Sequence, residues 1–238
     1  NGSGQAVLLS AEPGVGKSRL VYELRNKFTE NRHQRFTFYC SPYHVGTALH
    51  PVVESVGRTL GFEMREGPES RASKVREWIM SLGLDANELV PVIAPLLFLP
   101  EDPSFKAPPS EELGAATLSA LLKVIEASSE QSPLFLVAED LHWADPTTLE
   151  LLCGVVEQIR DKRVLALMTF RPEFAHSWHA HANVTSLTLN HLTENECEQL
   201  VRSVAGSDAL QDPVMVQILA RADGVALFVE ELSRNMVE

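Results

Sequence analysis

One stretch restricts this chain more than any other. An apolar run, QAVLLS (Gln5–Ser10), leads directly into AEPGVGKS (Ala11–Ser18). Leu20, Val21, Leu24 and Phe28 then repeat at helical spacing. A short buried strand, a glycine turn and an amphipathic helix in that order are what a phosphate-binding loop requires. The backbone N–H groups of such a turn point inward, and its glycines let the chain wrap closely around phosphate oxygens. Glu12, Pro13, Gly14, Val15, Gly16, Lys17, Ser18 and Arg19 are the candidate ligand-binding residues. Lys17 is the candidate partner of the β- and γ-phosphates, and the Ser18 hydroxyl is a candidate Mg²⁺ ligand. The pattern Gly-x-x-x-x-Gly-Lys-[Ser/Thr] has Ala11 where its first glycine belongs. A Cβ is unfavourable there only if the position needs a positive φ, at about 1 kcal/mol. The stretch is therefore either a working nucleotide loop with one substitution or the remnant of one.

Further strands alternate with helices. FTFYC (Phe36–Cys40), LFLVAED (Leu134–Asp140), VLALMTF (Val164–Phe170) and VTSLTL (Val184–Leu189) read as strands two to five. Together with the first they predict an α/β fold with a parallel sheet covered on both faces. Between strands two and three lies a helical insert, with helices expected over 49–60 and 73–82. Pro91, Pro95, Pro100, Pro103, Pro108 and Pro109 are expected to break the next part into short helices and loops. Ser110 reads as the cap of a helix carrying Glu111 and Glu112 in its first turn. Asp145-Pro146 reads as an N-cap with proline at the first helical position. Beyond Leu192 only helices are expected, opened by the capping box Thr193-Glu194-Asn195-Glu196 and followed by helices over 213–222 and 227–237. The resulting division is a core of residues 1–190 and a helical segment, 191–238.

Glu139 and Asp140 end an apolar strand. Two adjacent acids there are unfavourable in a core without a cation. A phosphate loop uses acids on a neighbouring strand, one toward the magnesium shell and one toward the attacking water. Glu139 is the candidate for the first role, through water, and Asp140 for the second; two solvated acids at a strand exit are the alternative. Arg171 follows the fourth strand. If that strand lies beside the first, Thr169 and Arg171 face the terminal phosphate, although an arginine after a strand is also an ordinary solvated residue.

The net charge of −12 argues against a broad nucleic-acid surface on this segment. Three cysteines, Cys40, Cys153 and Cys197, lie far apart and suit buried thiols in a reducing compartment. No run reaches the roughly 18 apolar residues of a membrane span. With Asn1 rather than Met at its start, the chain is expected to be a piece of a longer cytoplasmic protein. His142 and Trp143 are expected to pack and hydrogen-bond around the acid strand. His176, His179 and His181 are expected in an exposed loop, and Arg221 in solvent.

AEPGVGKSRL, CSPYH, LFLVAEDLHWADP, TFRPEF and DGVALFVEEL, in this order, resemble the STAND-type, AAA-related signalling ATPase modules of bacteria. These stand beside class III adenylate/guanylate cyclase domains and in large LuxR-type regulators. The resemblance covers essentially the whole chain and is most specific in the acid-Asp-Leu-His-Trp-Ala-Asp-Pro run. It implies a three-layer P-loop sandwich with strand order 5-1-4-3-2, ATP and Mg²⁺ as cofactors, and slow or gated hydrolysis used as a switch. It further implies a helical lid over the nucleotide at 191–238, flanking effector domains and helical repeats, and nucleotide-dependent oligomers. Gly224 belongs to a lid element that approaches the nucleotide, and Ala226 stands where relatives usually carry proline. His44 belongs to the pattern without a chemical role. A binding-only module and an inactive interaction scaffold are the alternative readings.

Overall fold

Parallel pairing organises the chain into one five-stranded sheet. The computed structural model describes residues 2–28, 33–99, 109–175, 178–205 and 212–237. The strands are β1 (Gln5–Ser10), β2 (Gln34–Tyr39), β3 (Leu134–Glu139), β4 (Val164–Phe170) and β5 (Val184–Thr188). Their spatial order is β2-β3-β4-β1-β5, every pairing parallel. This is the expected order 5-1-4-3-2 read from the other edge. β4 therefore lies between the loop strand and the acid strand.

Alternation along each strand divides the core between two faces. Ala6, Leu8, Leu134, Leu136, Ala138, Val164, Ala166 and Met168 belong to the larger cluster. On that side lie α2 (His50–Thr59), α3 (Pro68–Ser81), α4 (Ala86–Leu96), α5 (Ser110–Gln131) and α6 (Pro146–Gln158). Leu9, Phe135, Val137 and Leu167 face the other way, onto Val21 and Leu24 of α1 (Lys17–Lys27). Strands buried on both faces read as unbroken apolar runs, and all six residues of β3 are buried. The edge strand β5 departs from the expected double cover: Thr185 to Thr188 are exposed. Its polar Thr-Ser-Leu-Thr lacks the continuous apolar run that two covered faces demand.

The insert is helical, as expected, but two of its details differ. α3 starts at Pro68, five residues before the expected position, because Gly67 is extended at the N-cap and proline suits the first helical position. α4 runs through both Pro91 and Pro95. Each proline in a helix interior costs about 3 kcal/mol. Burial of Leu89, Val90, Val92 and Ile93 offsets this at about 1.5–3 kcal/mol per side chain, and the Asp85 side chain caps the start by accepting from the Asn87 N–H. Pro100, Pro103 and Pro108 lie outside the described residues. Pro109, not Ser110, holds the N-cap of α5.

Among the described residues three helices follow the sheet: α7 (Glu194–Ala205), α8 (Asp212–Ala222) and α9 (Ala226–Val237). Cys197, Val201, Ile218, Ala222 and Val229 form a core of their own. The capping box is present: the Glu196 carboxylate accepts from the Thr193 N–H and hydroxyl, and the Glu196 N–H donates to Thr193 Oγ1.

Candidate nucleotide site

The loop begins as a continuation of β1. Ala11 is 1% exposed, and its N–H donates to the Phe170 carbonyl on β4 at 3.3 Å. It is not among the positive-φ residues, so the missing first glycine costs the loop nothing in backbone strain. The left-handed positions are Gly14 (φ 81°) and Gly16 (φ 118°), and Gly16 is the N-cap of α1. Lys17 is buried, and its Nζ donates to the Ala11 carbonyl at 2.5 Å and the Glu12 carbonyl at 3.1 Å. Burial lowers its pKa, against the pull of Asp140. The ammonium is thus folded back on the loop's own acceptors. Val15 is buried, whereas Glu12, Pro13, Ser18 and Arg19 are exposed. Arg19 pairs with Glu23 on the surface of α1 at 2.8 Å.

The acids stand where the sheet brings β3 toward the loop. Glu139 is the last residue of β3, is almost fully buried, and lies near the Ser18 side chain. Burial raises its pKa and the neighbouring Asp140 charge adds to the shift, while Arg25 and the nearby Ser18 hydroxyl oppose it. A desolvated carboxylate held beside a serine hydroxyl and a second acid fits an oxygen-liganded Mg²⁺. Asp140 does not extend the strand, as the sequence suggested. It turns into the left-handed region (φ 59°, ψ 47°), which Asp tolerates better than most residues. Its N–H donates to Thr169 Oγ1 at 3.1 Å. The Thr169 side chain, 1% exposed, therefore fixes the acid turn.

A short 3₁₀ turn, Leu141–Trp143, follows. Leu141 is fully buried. Arg171, just past β4, lies over the Trp143 ring with its Cζ 5.8 Å from the centroid, a cation–π contact. The His142 and Trp143 rings lie 5.1 Å apart. The expected hydrogen bonds of His142 are missing: neither ring nitrogen has a partner among the described residues. Asp145 anchors the far end of the turn. It is 2% exposed and accepts from the Thr148 N–H and hydroxyl, as an N-cap should, and from the distant Leu49 N–H at 3.2 Å. Sequence reasoning found the cap but not the Leu49 bond. Cys40, beside this region, is a buried thiol pushed up to about 12 by burial and by the Asp145 and Asp140 charges. All three cysteines are free, and Cys153 is only partly buried.

The C-terminal helices meet the loop at Gly14. Its carbonyl accepts from the Leu227 N–H at 3.0 Å, and a Cβ on it would stand 2.8 Å from Val225 Cγ1. Ala226, in the proline position of the resemblance, is the first residue of α9. Gly224 (φ 74°) is packed against the 191–192 segment, where a Cβ would meet the Leu192 carbonyl oxygen at 2.6 Å. Its need for glycine is accounted for by that contact. Arg221 is exposed. His44 stacks on His50 with ring centroids 3.6 Å apart. His176 and the His179 side chain lie outside the described residues, and His181 is partly exposed. Among the described residues no group of three or more His, Cys, Asp and Glu could hold a metal ion, and no helix is long and apolar enough to cross a membrane.

Comparison with known proteins bears on this geometry. A family model described as "AAA ATPase domain" matches residues 1–167, ending inside β4, before Arg171 and the C-terminal helices. An uncharacterized protein of Rhizobium meliloti (strain 1021) is 29% identical over 234 residues, which are 97% of this chain and 22% of that protein. The chain thus spans about a fifth of the curated relative it matches. Among solved structures, Drosophila ORC bound to DNA matches with a TM-score of 0.51 at 11% identity, over 100% of this chain and 56% of that one. That likeness supports the P-loop NTPase architecture. A Signal Transduction ATPase with Numerous Domains (STAND) protein with a tetratricopeptide repeat sensor, from Pyrococcus horikoshii, gives a TM-score of 0.49 at 12% identity, over 96% of this chain and 27% of that one. With its family model spanning the loop, the acids and most of β4, this chain belongs to the AAA ATPase domain family.

Proposed function

We propose that the chain is an ATP- and Mg²⁺-dependent switch module of a bacterial multidomain signalling protein. It hydrolyses ATP slowly and relays nucleotide state to effector domains elsewhere in the same polypeptide. A class III adenylate or guanylate cyclase domain is the proposed effector. The module's own residues do not make a cyclic nucleotide.

The observation that carries this reading is the approach of the Ser18 side chain to the Glu139 carboxyl, close enough to lower its pKa against burial. It joins the first turn of α1 to the end of β3, bringing the serine and the acid of a magnesium site together with Lys17 and Asp140 alongside. In the proposed mechanism the loop's N–H groups from Gly14 to Ser18 hold the phosphates. Lys17 leaves the Ala11 and Glu12 carbonyls for the β- and γ-phosphate oxygens. Ser18, and Glu139 through water, hold Mg²⁺, which neutralises phosphate charge when bound. Asp140 orients the attacking water and accepts its proton. Arg171 exchanges the Trp143 face for the terminal phosphate, a stronger and charge-assisted partner. Residues 191–238 act as the lid, seated on the loop through Leu227.

Titration calorimetry tests the reading. Mg-ATP and Mg-ADP are expected to bind the wild-type chain, and Lys17→Ala is expected to weaken ATP at least about tenfold, the loss of one charged contact. Absence of heat with folded wild-type protein overturns nucleotide binding. Asp140→Asn is expected to keep ATP affinity and lose turnover; turnover unchanged in that variant removes Asp140 from its role.

A further inference from the structure

Both ring nitrogens of His142 are sealed from solvent and bonded to nothing among the described residues. A neutral imidazole carries one N–H donor and one acceptor, and burying either without a partner is unfavourable. The ring also cannot easily swing out to water. Its turn is closed by the Trp143 N–H to the Asp140 carbonyl at 2.9 Å and the Ala144 N–H to the Leu141 carbonyl at 3.0 Å. Leu141 and Asp145, both buried, pin the two ends. Any partner must therefore come to the ring.

The surroundings specify the kind of partner. Burial lowers the pKa of His142; Asp140 and Glu173 oppose the shift, whereas Arg171 and Lys17 add to it. The imidazole is thus a neutral donor set among two cations and two acids. Lys17, Asp140 and Arg171 are the residues assigned above to the terminal phosphate and its water. One neighbouring group is poised to move: Arg171 lies over Trp143, whose ring is next to that of His142. At 5.8 Å the contact is close to the outer limit of a cation–π interaction, about 6 Å, and a phosphate oxygen is a better partner for a guanidinium.

We propose that His142 reads the terminal phosphate: when a nucleoside triphosphate draws Arg171 off Trp143, the His142 ring N–H is uncovered and donates to a γ-phosphate oxygen. A diphosphate offers neither the pull on Arg171 nor the acceptor. His142 then discriminates ATP from ADP, in addition to the loop, which holds the phosphates that both share. The inference rests on the nucleotide-binding reading above.

The test is the ratio of ADP to ATP dissociation constants, measured by calorimetry with Mg²⁺ on the whole chain. The variants are His142→Phe, His142→Met and His142→Gln. Phe and Met are expected to leave ADP binding within about twofold and to weaken ATP about tenfold, the worth of one hydrogen bond to a charged group. Gln, which keeps an N–H donor, is expected to recover most of that loss. The ligand-free melting temperature of the Met variant should be unchanged or higher, since it buries no unpartnered nitrogen. A ratio unchanged in both apolar variants while ADP still binds overturns the role of His142 and leaves nucleotide binding standing. An equal loss of ATP and ADP affinity, or a Gln variant no better than Met, also overturns it. Failure of the wild type to bind either nucleotide overturns the underlying reading and this inference together.

Discussion

At the scale of single residues, Glu139 carries opposing demands. Its carboxylate is held in a nearly dry position beside Asp140, which raises its pKa above the ordinary value of 4.5. The folded chain therefore holds a proton there over a pH range in which the unfolded chain has lost it. Stability from this group is complete below about pH 4.5 and falls as pH rises through the folded-state value. As pH rises past the pKa of the unfolded carboxyl, the desolvated acid destabilises the ligand-free protein. Glu139→Gln is expected to raise the melting temperature at pH 7.5 without ligand, and to flatten the loss of stability above pH 4.5. The same change should abolish the Mg²⁺-dependent part of ATP affinity. A lower melting temperature together with unchanged Mg²⁺ dependence would show that Glu139 is merely a packed side chain. Ala11 shows the reverse case. The sequence marks it as a defect, yet it lies on the extended continuation of β1, where its methyl is buried and its N–H is bonded to β4. A consensus pattern records which residue is usual at a position, whereas strain depends on φ, which spacing alone does not reveal.

At the scale of elements, the acid turn is held from outside by Asp145. Its carboxylate caps α6 and also takes the Leu49 N–H, at a position where Leu49 itself is left-handed (φ 56°). Asp145→Ala removes a cap, worth about 0.5–2 kcal/mol, and leaves a buried N–H unpartnered, at about 1–3 kcal/mol. A loss of about 2–4 kcal/mol in denaturant unfolding is expected, and Asp145→Asn, which keeps an acceptor, should lose less than half of it. A loss below about 0.5 kcal/mol in Asp145→Ala would place the carboxylate outside the network. Local chemistry made the cap legible: Asp before Pro, then an apolar stripe. The bond to Leu49 joins segments that only the sheet brings together, so no local pattern contains it. The same distinction explains the misread elements. In α4 the prolines signalled breaks, but burial of Leu89, Val90, Val92 and Ile93 outweighed them, and burial is a property of the assembled core. The strands were legible because β1, β3 and β4 are apolar on both faces. β5 was assigned correctly as a strand and incorrectly as covered, because an edge position is a fact of topology.

At the scale of the molecule, the central question is how the loop and the C-terminal helices sense each other. α7, α8 and α9 have their own core, so their position over the loop rests on a small set of contacts. Those seen among the described residues are the Leu227 N–H to the Gly14 carbonyl and Val225 against Gly14, while the Leu192 N–H to the Gly224 carbonyl and His191 Nδ1 with the Asp223 carbonyl tie the segment to itself. Gly14 is thus the loop residue against which the start of α9 packs, and on the proposed function a shift of its peptide on nucleotide binding would be felt at once by the first turn of α9. This also relocates the question raised by Ala226. The contact is made by its neighbours on both sides, and proline or alanine at the first helical position leaves those two contacts available. Gly14→Ala should uncouple the two parts. A Cβ there would approach Val225 Cγ1 to 2.8 Å, and the left-handed φ of 81° disfavours any L-residue by about 1–2 kcal/mol. Relief comes most readily by lifting α9 from the loop, since the internal core of the three helices need not open. The Leu227 amide, bonded to the Gly14 carbonyl, is therefore expected to exchange about tenfold faster in the variant, an opening easier by about 1.4 kcal/mol. Amides of β3 and β4, buried in the sheet, should exchange as in the wild type. Uniformly faster exchange across sheet and helices would mean that Gly14 supports the whole fold. Unchanged exchange at Leu227 would mean that α9 is held by contacts other than this one.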